Sequence, residues 1–145
     1  MNDADSTYRI GAVVVTHGKL ADELLAATER IVGPVDALTA VSIDWDAPVD
    51  AARERVADAI RSLGAPAGVI VFTDMFGGTP TNVCLPFLDA NRVEIIAGVN
   101  LPMLVKFTNL QGCDDDLAGV VRQVRDRGQN SLCIASEVLS AQEGV

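Results

Sequence analysis

Residues 10–15, Ile-Gly-Ala-Val-Val-Val, are apolar without a break and mostly β-branched. A strand with one wet face alternates apolar and polar residues, whereas an unbroken run has to be covered on both faces. This run therefore predicts a central strand with helices above and below it. Further strands are predicted over 38–43, 69–73 and 93–97. Helical spacing connects them: Leu20, Leu24, Thr28 and Ile31 share one face, and Ala52, Val56, Ile60 and Leu63 share another. Gly33-Pro34 and Gly64 mark where those two helices stop. Pro80 suits the first turn of a third helix reaching about residue 89, which Pro86 should kink or cut short. Asn100 is placed to cap a fourth helix. A last long helix is expected over 114–127 through Leu117, Val120, Val121 and Val124, with Gly128 ending it. A short final strand is expected over 131–135, at a sheet edge or exchanged with a second subunit. Strands alternating with helices through short links give an α/β fold, a doubly wound and mainly parallel sheet flanked by helices. Periodicity alone leaves the strand order open.

The 145 residues suit a single domain, with flexible ends expected over 1–9 and 140–145. Eleven basic against twenty acidic residues give a formal charge of −9. Such a surface repels phosphate backbones, which argues against nucleic-acid binding and favours partners with a basic patch. Cys84, Cys113 and Cys133 are scattered and form neither a disulfide framework nor a zinc pattern. The polar, acidic start is unlike a signal peptide, and the apolar runs are too short to span a bilayer. A cytoplasmic protein with no membrane insertion is expected, and no metal or cofactor motif is present in the sequence.

Ligands of doubly wound sheets bind outside the carboxyl ends of the strands. Two features fall there. His17, the only histidine, follows the first strand and precedes a helix, where free backbone N–H groups favour an anion. By position alone it reads sooner as a capping or turn histidine with no chemistry, since isolated histidines at loop ends are common. Asp74 follows the third strand. A carboxylate bonded to one imidazole nitrogen fixes the tautomer and leaves the other nitrogen free to attack, although Asp74 also reads as a helix cap. Gly77 and Gly78 let backbone N–H groups approach an anion, and Thr79 adds a hydroxyl donor. No lysine follows these glycines, so the segment is not a P-loop. Asp114, Asp115 and Asp116 read as a solvated helix start, since consecutive carboxylates on a helix diverge.

Taken together, Thr16-His17-Gly18, the segment from Asp74 to Pro80 with Asn82, and the segment from Ala97 to Leu104 resemble the enzyme IIA domains of the mannose/fructose branch of the sugar phosphotransferase system. The resemblance covers almost the whole chain. It implies that His17 carries a phosphoryl group, taken from the histidine-containing phosphocarrier protein and passed to a IIB protein. It further implies that Asp74 orients His17, that Thr79 stands at the phosphoryl-contacting hydroxyl position, and that the chain forms a homodimer exchanging a C-terminal strand. One departure stands out: the family often has tryptophan in the aspartate turn, where this chain has Met75 and Phe76. Three other functions fit the same residues. These are a regulatory sensor of phosphorylation state without sugar transport, a phosphoryl donor to a dihydroxyacetone kinase, and a small-ligand binding domain in which His17 is structural.

Overall fold

The computed structural model describes residues 8–143. Strand β1 (Ile10–His17) lies between β2 (Leu38–Ile43) and β3 (Gly68–Thr73), and β4 (Val93–Ala97) adds to the far side of β3. The order is β2-β1-β3-β4 and every strand pairing is parallel. As its composition demands, β1 is buried on both faces along all but its last residue. Helices α1 (Leu20–Val32), α4 (Leu101–Asn109) and α5 (Leu117–Asn130) pack on one face, and α2 (Val49–Leu63) and α3 (Thr79–Cys84) on the other; α1, α2 and α3 lie in the crossovers between parallel strands, while α4 and α5 follow the last strand.

The two cores follow the pleat of β1. Ala12 and Val14 pack with Ile70, Phe72, Leu104 and Phe107 on one side, while Val13 and Val15 pack with Val71, Val56 and Val83 on the other. Cys84 is buried in the second core, and that burial pushes its thiol up to about 12, so it stays protonated.

The strands over 38–43 and 93–97 form as the sequence predicts. Asn100 caps α4 by accepting a hydrogen bond from the Met103 backbone N–H at 3.1 Å. Asp116 does the same for α5 through Gly119, at 2.9 Å. The third helix ends early, at Cys84, and a single 3-10 turn carries Pro86.

Two expectations are corrected. No strand forms over 131–135: residues 131–134 are irregular and α6 (Ala135–Glu143) follows. A strand needs a neighbour to take its backbone hydrogen bonds, and among the described residues of this chain none pairs with this segment, whereas Ala, Glu, Leu and Gln favour the local bonds of a helix. That helix takes in residues 140–143, and residues 144 and 145 lie outside the described part. At the other end 1–7 also lie outside it, while the Tyr8 hydroxyl is anchored, donating to the Leu63 carbonyl at 2.7 Å.

The second correction is Gly128, which lies inside α5 rather than ending it. A Cβ there would come within 2.4 Å of Met103 Cε and 2.6 Å of its Cγ. The glycine gives α4 and α5 their close approach. Replacing Gly128 with Ala gains about 1 kcal/mol of helix propensity but overpacks a buried contact, at a cost of about 1–3 kcal/mol. Urea unfolding is expected to show a net loss of stability with an unchanged m-value.

Candidate functional site

The helix-bearing connections leave β1 in one direction and β3 in the other, so the carboxyl ends of these two adjacent strands form the switch point of the sheet. Val15 pairs with Thr73, and the chains continue from there to His17 and Asp74. The Asp74 Oδ2 accepts two hydrogen bonds from His17, one from the backbone N–H at 2.9 Å and one at ring Nδ1 at 2.8 Å. Its Oδ1 accepts from the Met75 N–H at 3.0 Å. Because a carboxylate only accepts, Nδ1 carries a proton, and in the neutral ring Nε2 then holds the lone pair. The pair is partly covered, with side-chain exposures of 21% for His17 and 14% for Asp74.

The glycines of the turn serve different needs. Gly77 has φ of +91° with open space around it, so its absent side chain answers to backbone conformation. Gly78 has φ of −90°, which any residue adopts, but a Cβ there would lie 2.8 Å from His17 Cε1 and 3.2 Å from Nε2. Its absent side chain answers to the imidazole. Thus His17, Asp74 and Gly78 come into contact, while Gly77 and Thr79 lie beside them, exposed.

Three more residues complete the arrangement: Thr81 and Trp45, which sequence reasoning did not single out, and Thr16, which stood there only as part of the Thr16-His17-Gly18 motif. Thr81 Oγ1 donates to the Met75 carbonyl at 2.6 Å, so the 2.7 Å contact with Thr73 Oγ1 must have Thr73 as donor. This buried pair ties the aspartate turn to the end of β3. Thr16 Oγ1 accepts from the Ala21 N–H at 2.6 Å and fixes the start of α1 behind His17. Trp45 stacks on the His17 ring, with centroids 4.9 Å apart and planes at 25°. The signal for Trp45 was strand order: His17 pairs with Ile43, and Trp45 follows two residues later. Among the described residues, no group of three or more His, Cys, Asp or Glu could hold a metal ion. No helix among them is long and apolar enough to cross a membrane.

A single histidine held through Nδ1 at the switch point of a four-stranded parallel sheet narrows the class to α/β domains with an imidazole at their working edge. The sequence matches the model of the family described as PTS system fructose IIA component over residues 11–125, and the chain belongs to that family. It is a IIA component of the mannose/fructose type. It is 32% identical over 108 residues to the mannose-specific EIIAB component of Escherichia coli (strain K12), an alignment covering 74% of this chain. The chain spans about a third of that relative's length, 33%. With the fructose-specific EIIA component of Bacillus subtilis (strain 168) it shares 27% identity over 133 residues, covering 90% of this chain and 89% of the relative. The structure superposes on the PTS IIA protein associated with the fucose utilization operon of Streptococcus pneumoniae with a TM-score of 0.79 at 28% identity. That match covers 91% of this chain and 97% of the other. For the mannose/sorbose specific IIA subunit of Enterococcus faecalis the TM-score is 0.76 at 23% identity, covering 87% and 94%, a likeness of fold.

Two substitutions separate the parts of this site. Gly78→Ala suits its backbone, but the added Cβ has to displace the His17 ring. An unchanged melting temperature together with shifted His17 ring-proton resonances in NMR checks this. Thr81→Val leaves the Met75 carbonyl and the Thr73 hydroxyl without their partner, and is expected to cost about 1–3 kcal/mol in urea unfolding.

Proposed function

We propose that this chain is a phosphocarrier. His17 Nε2 accepts a phosphoryl group from the histidine-containing phosphocarrier protein and passes it to a IIB protein. The observation that carries the reading is the 2.8 Å contact between Nδ1 and Asp74, which directs the lone pair to the other nitrogen. As the donor's N–P bond breaks, its electron pair returns to the donor imidazole while Nε2 forms the new N–P bond. Transfer back out to the acceptor reverses these changes. Such a step is mostly a matter of positioning and charge stabilisation along a line from donor nitrogen through phosphorus to acceptor nitrogen.

Asp74 balances the positive charge that the imidazole gains when Nε2 is phosphorylated. The backbone N–H groups of Gly77 and Gly78, with the Thr79 hydroxyl, are the donors assigned to the phosphoryl oxygens. The reaction takes place in the cytoplasm and needs no metal or nucleotide. Assembly as a homodimer belongs to the same reading, supported by Leu132, Ile134, Val138 and Leu139, which stand exposed along the last part of the chain.

Intact-mass spectrometry after incubation with phosphoenolpyruvate, enzyme I and the phosphocarrier protein tests the reading. One acid-labile phosphoryl adduct is expected, absent in a folded His17→Ala variant. Asp74→Ala should still reach the adduct, about 10–100-fold more slowly. Retained labelling in His17→Ala, or no adduct from a charged donor on folded wild type, would sink it.

A further inference from the structure

We propose that Trp45 is a positioning residue for phosphoryl transfer at His17, an inference that rests on His17 being the acceptor. Burial does not explain where Trp45 sits, since the residue is 81% exposed. What its indole does cover is one face of the imidazole, in a stacked arrangement at 4.9 Å and 25°. The backbone holds it there. The Gly18 N–H donates to the Ile43 carbonyl at 2.8 Å, joining the end of β1 to the end of β2, and the Ala47 N–H closes a turn onto the Asp44 carbonyl at 3.1 Å. Gly18 turns the chain there with φ of +56°, and the indole packs over that turn, where even a Cβ would stand at an ordinary contact distance, 3.4 Å from Trp45 Nε1.

The three contacts of the imidazole divide its restraint. Rotation about the Cβ–Cγ bond of histidine is broad and roughly two-fold, so the ring needs outside restraint to aim a lone pair. Asp74 holds the Nδ1 edge. Gly78 lies against the Cε1 and Nε2 side of the ring, where a Cβ would stand 2.8 and 3.2 Å from those atoms. The Nδ1 bond acts near the ring plane, whereas Trp45 acts on the face and opposes tilt out of that plane. The indole has a second effect on the product. While Nδ1 keeps its proton, formation of the Nε2–P bond leaves the imidazole positively charged, and an aromatic face within about 6 Å stabilises a cation.

Phosphoramidate, a small donor with no protein surface, isolates this role. Nε2 attacks its phosphorus, the P–N bond breaks with its electron pair leaving on ammonia, and no docking contact is involved. Single-turnover phosphorylation of Trp45→Ala and Trp45→Leu is expected to be about tenfold slower than wild type, with Trp45→Phe within about threefold because it restores an aromatic face. Melting temperatures should match, given the exposure of the side chain, and the upfield ring-current shift of the His17 ring protons should be lost in the Ala and Leu variants only. Wild-type rates for Trp45→Ala and Trp45→Leu with phosphoramidate would overturn the proposal. So would a defect seen only with the protein donor and only in KM, which would make Trp45 a docking contact. In either case the wild-type protein is labelled on His17, so the acceptor reading survives. A wild type that takes no phosphoryl group from either donor overturns the acceptor reading itself, and the role of Trp45 falls with it.

Discussion

Everything at the working edge depends on the parallel pairing of β1 with β3. The register that sets Val13 against Val71 and Val15 against Thr73 is held by two cores packed on opposite faces of the sheet. A slip of one residue would move each buried side chain into the opposite core, which is close-packed around different residues, so the fit of the two cores fixes the register. The same register brings the residues just beyond the two strand ends, His17 and Asp74, within hydrogen-bonding distance. Two side chains 57 positions apart in sequence thus owe their contact to apolar packing well away from them.

The turn after β3 shows how a small number of short side chains can define a site. Gly77 permits the bend, Gly78 leaves space for a neighbouring ring, and Thr81 ties the turn back to Thr73. Acidic groups are plentiful in this chain, which carries a formal charge of −9. Among the described residues, Asp74 differs from the other carboxylates in having both oxygens engaged by defined donors.

Much of this was legible in the sequence because the signals were strong and local. Short uninterrupted β-branched runs bounded by breakers favour buried strands, and helix stops such as Gly33, Gly64 and Pro86 act through their own backbone restrictions. The pairing of His17 with Asp74 was anticipated because both follow strands of a sheet type whose ligand edge is known in advance. What escaped had non-local causes. The stretch after α5 contains Leu132 and Ile134, which suit a strand, but strands depend on neighbours and helices do not. Gly128 reads as a stop signal unless Met103 is known to press against it. Trp45 and Thr81 act across strand order and across a turn, and neither geometry is written in a periodicity.

One feature of the sheet bears on how the domain can be attached to other things. β1 runs eight residues from Ile10 to His17, and at roughly 3.3 Å per residue its two ends are about 23 Å apart. The chain enters the sheet at the far end from the imidazole, so a tag, a tether or a solid support joined ahead of Ile10 pulls on the molecule from behind. An array of such domains immobilised through that end would present its histidines outward, with the indole and the aspartate turn facing the solution.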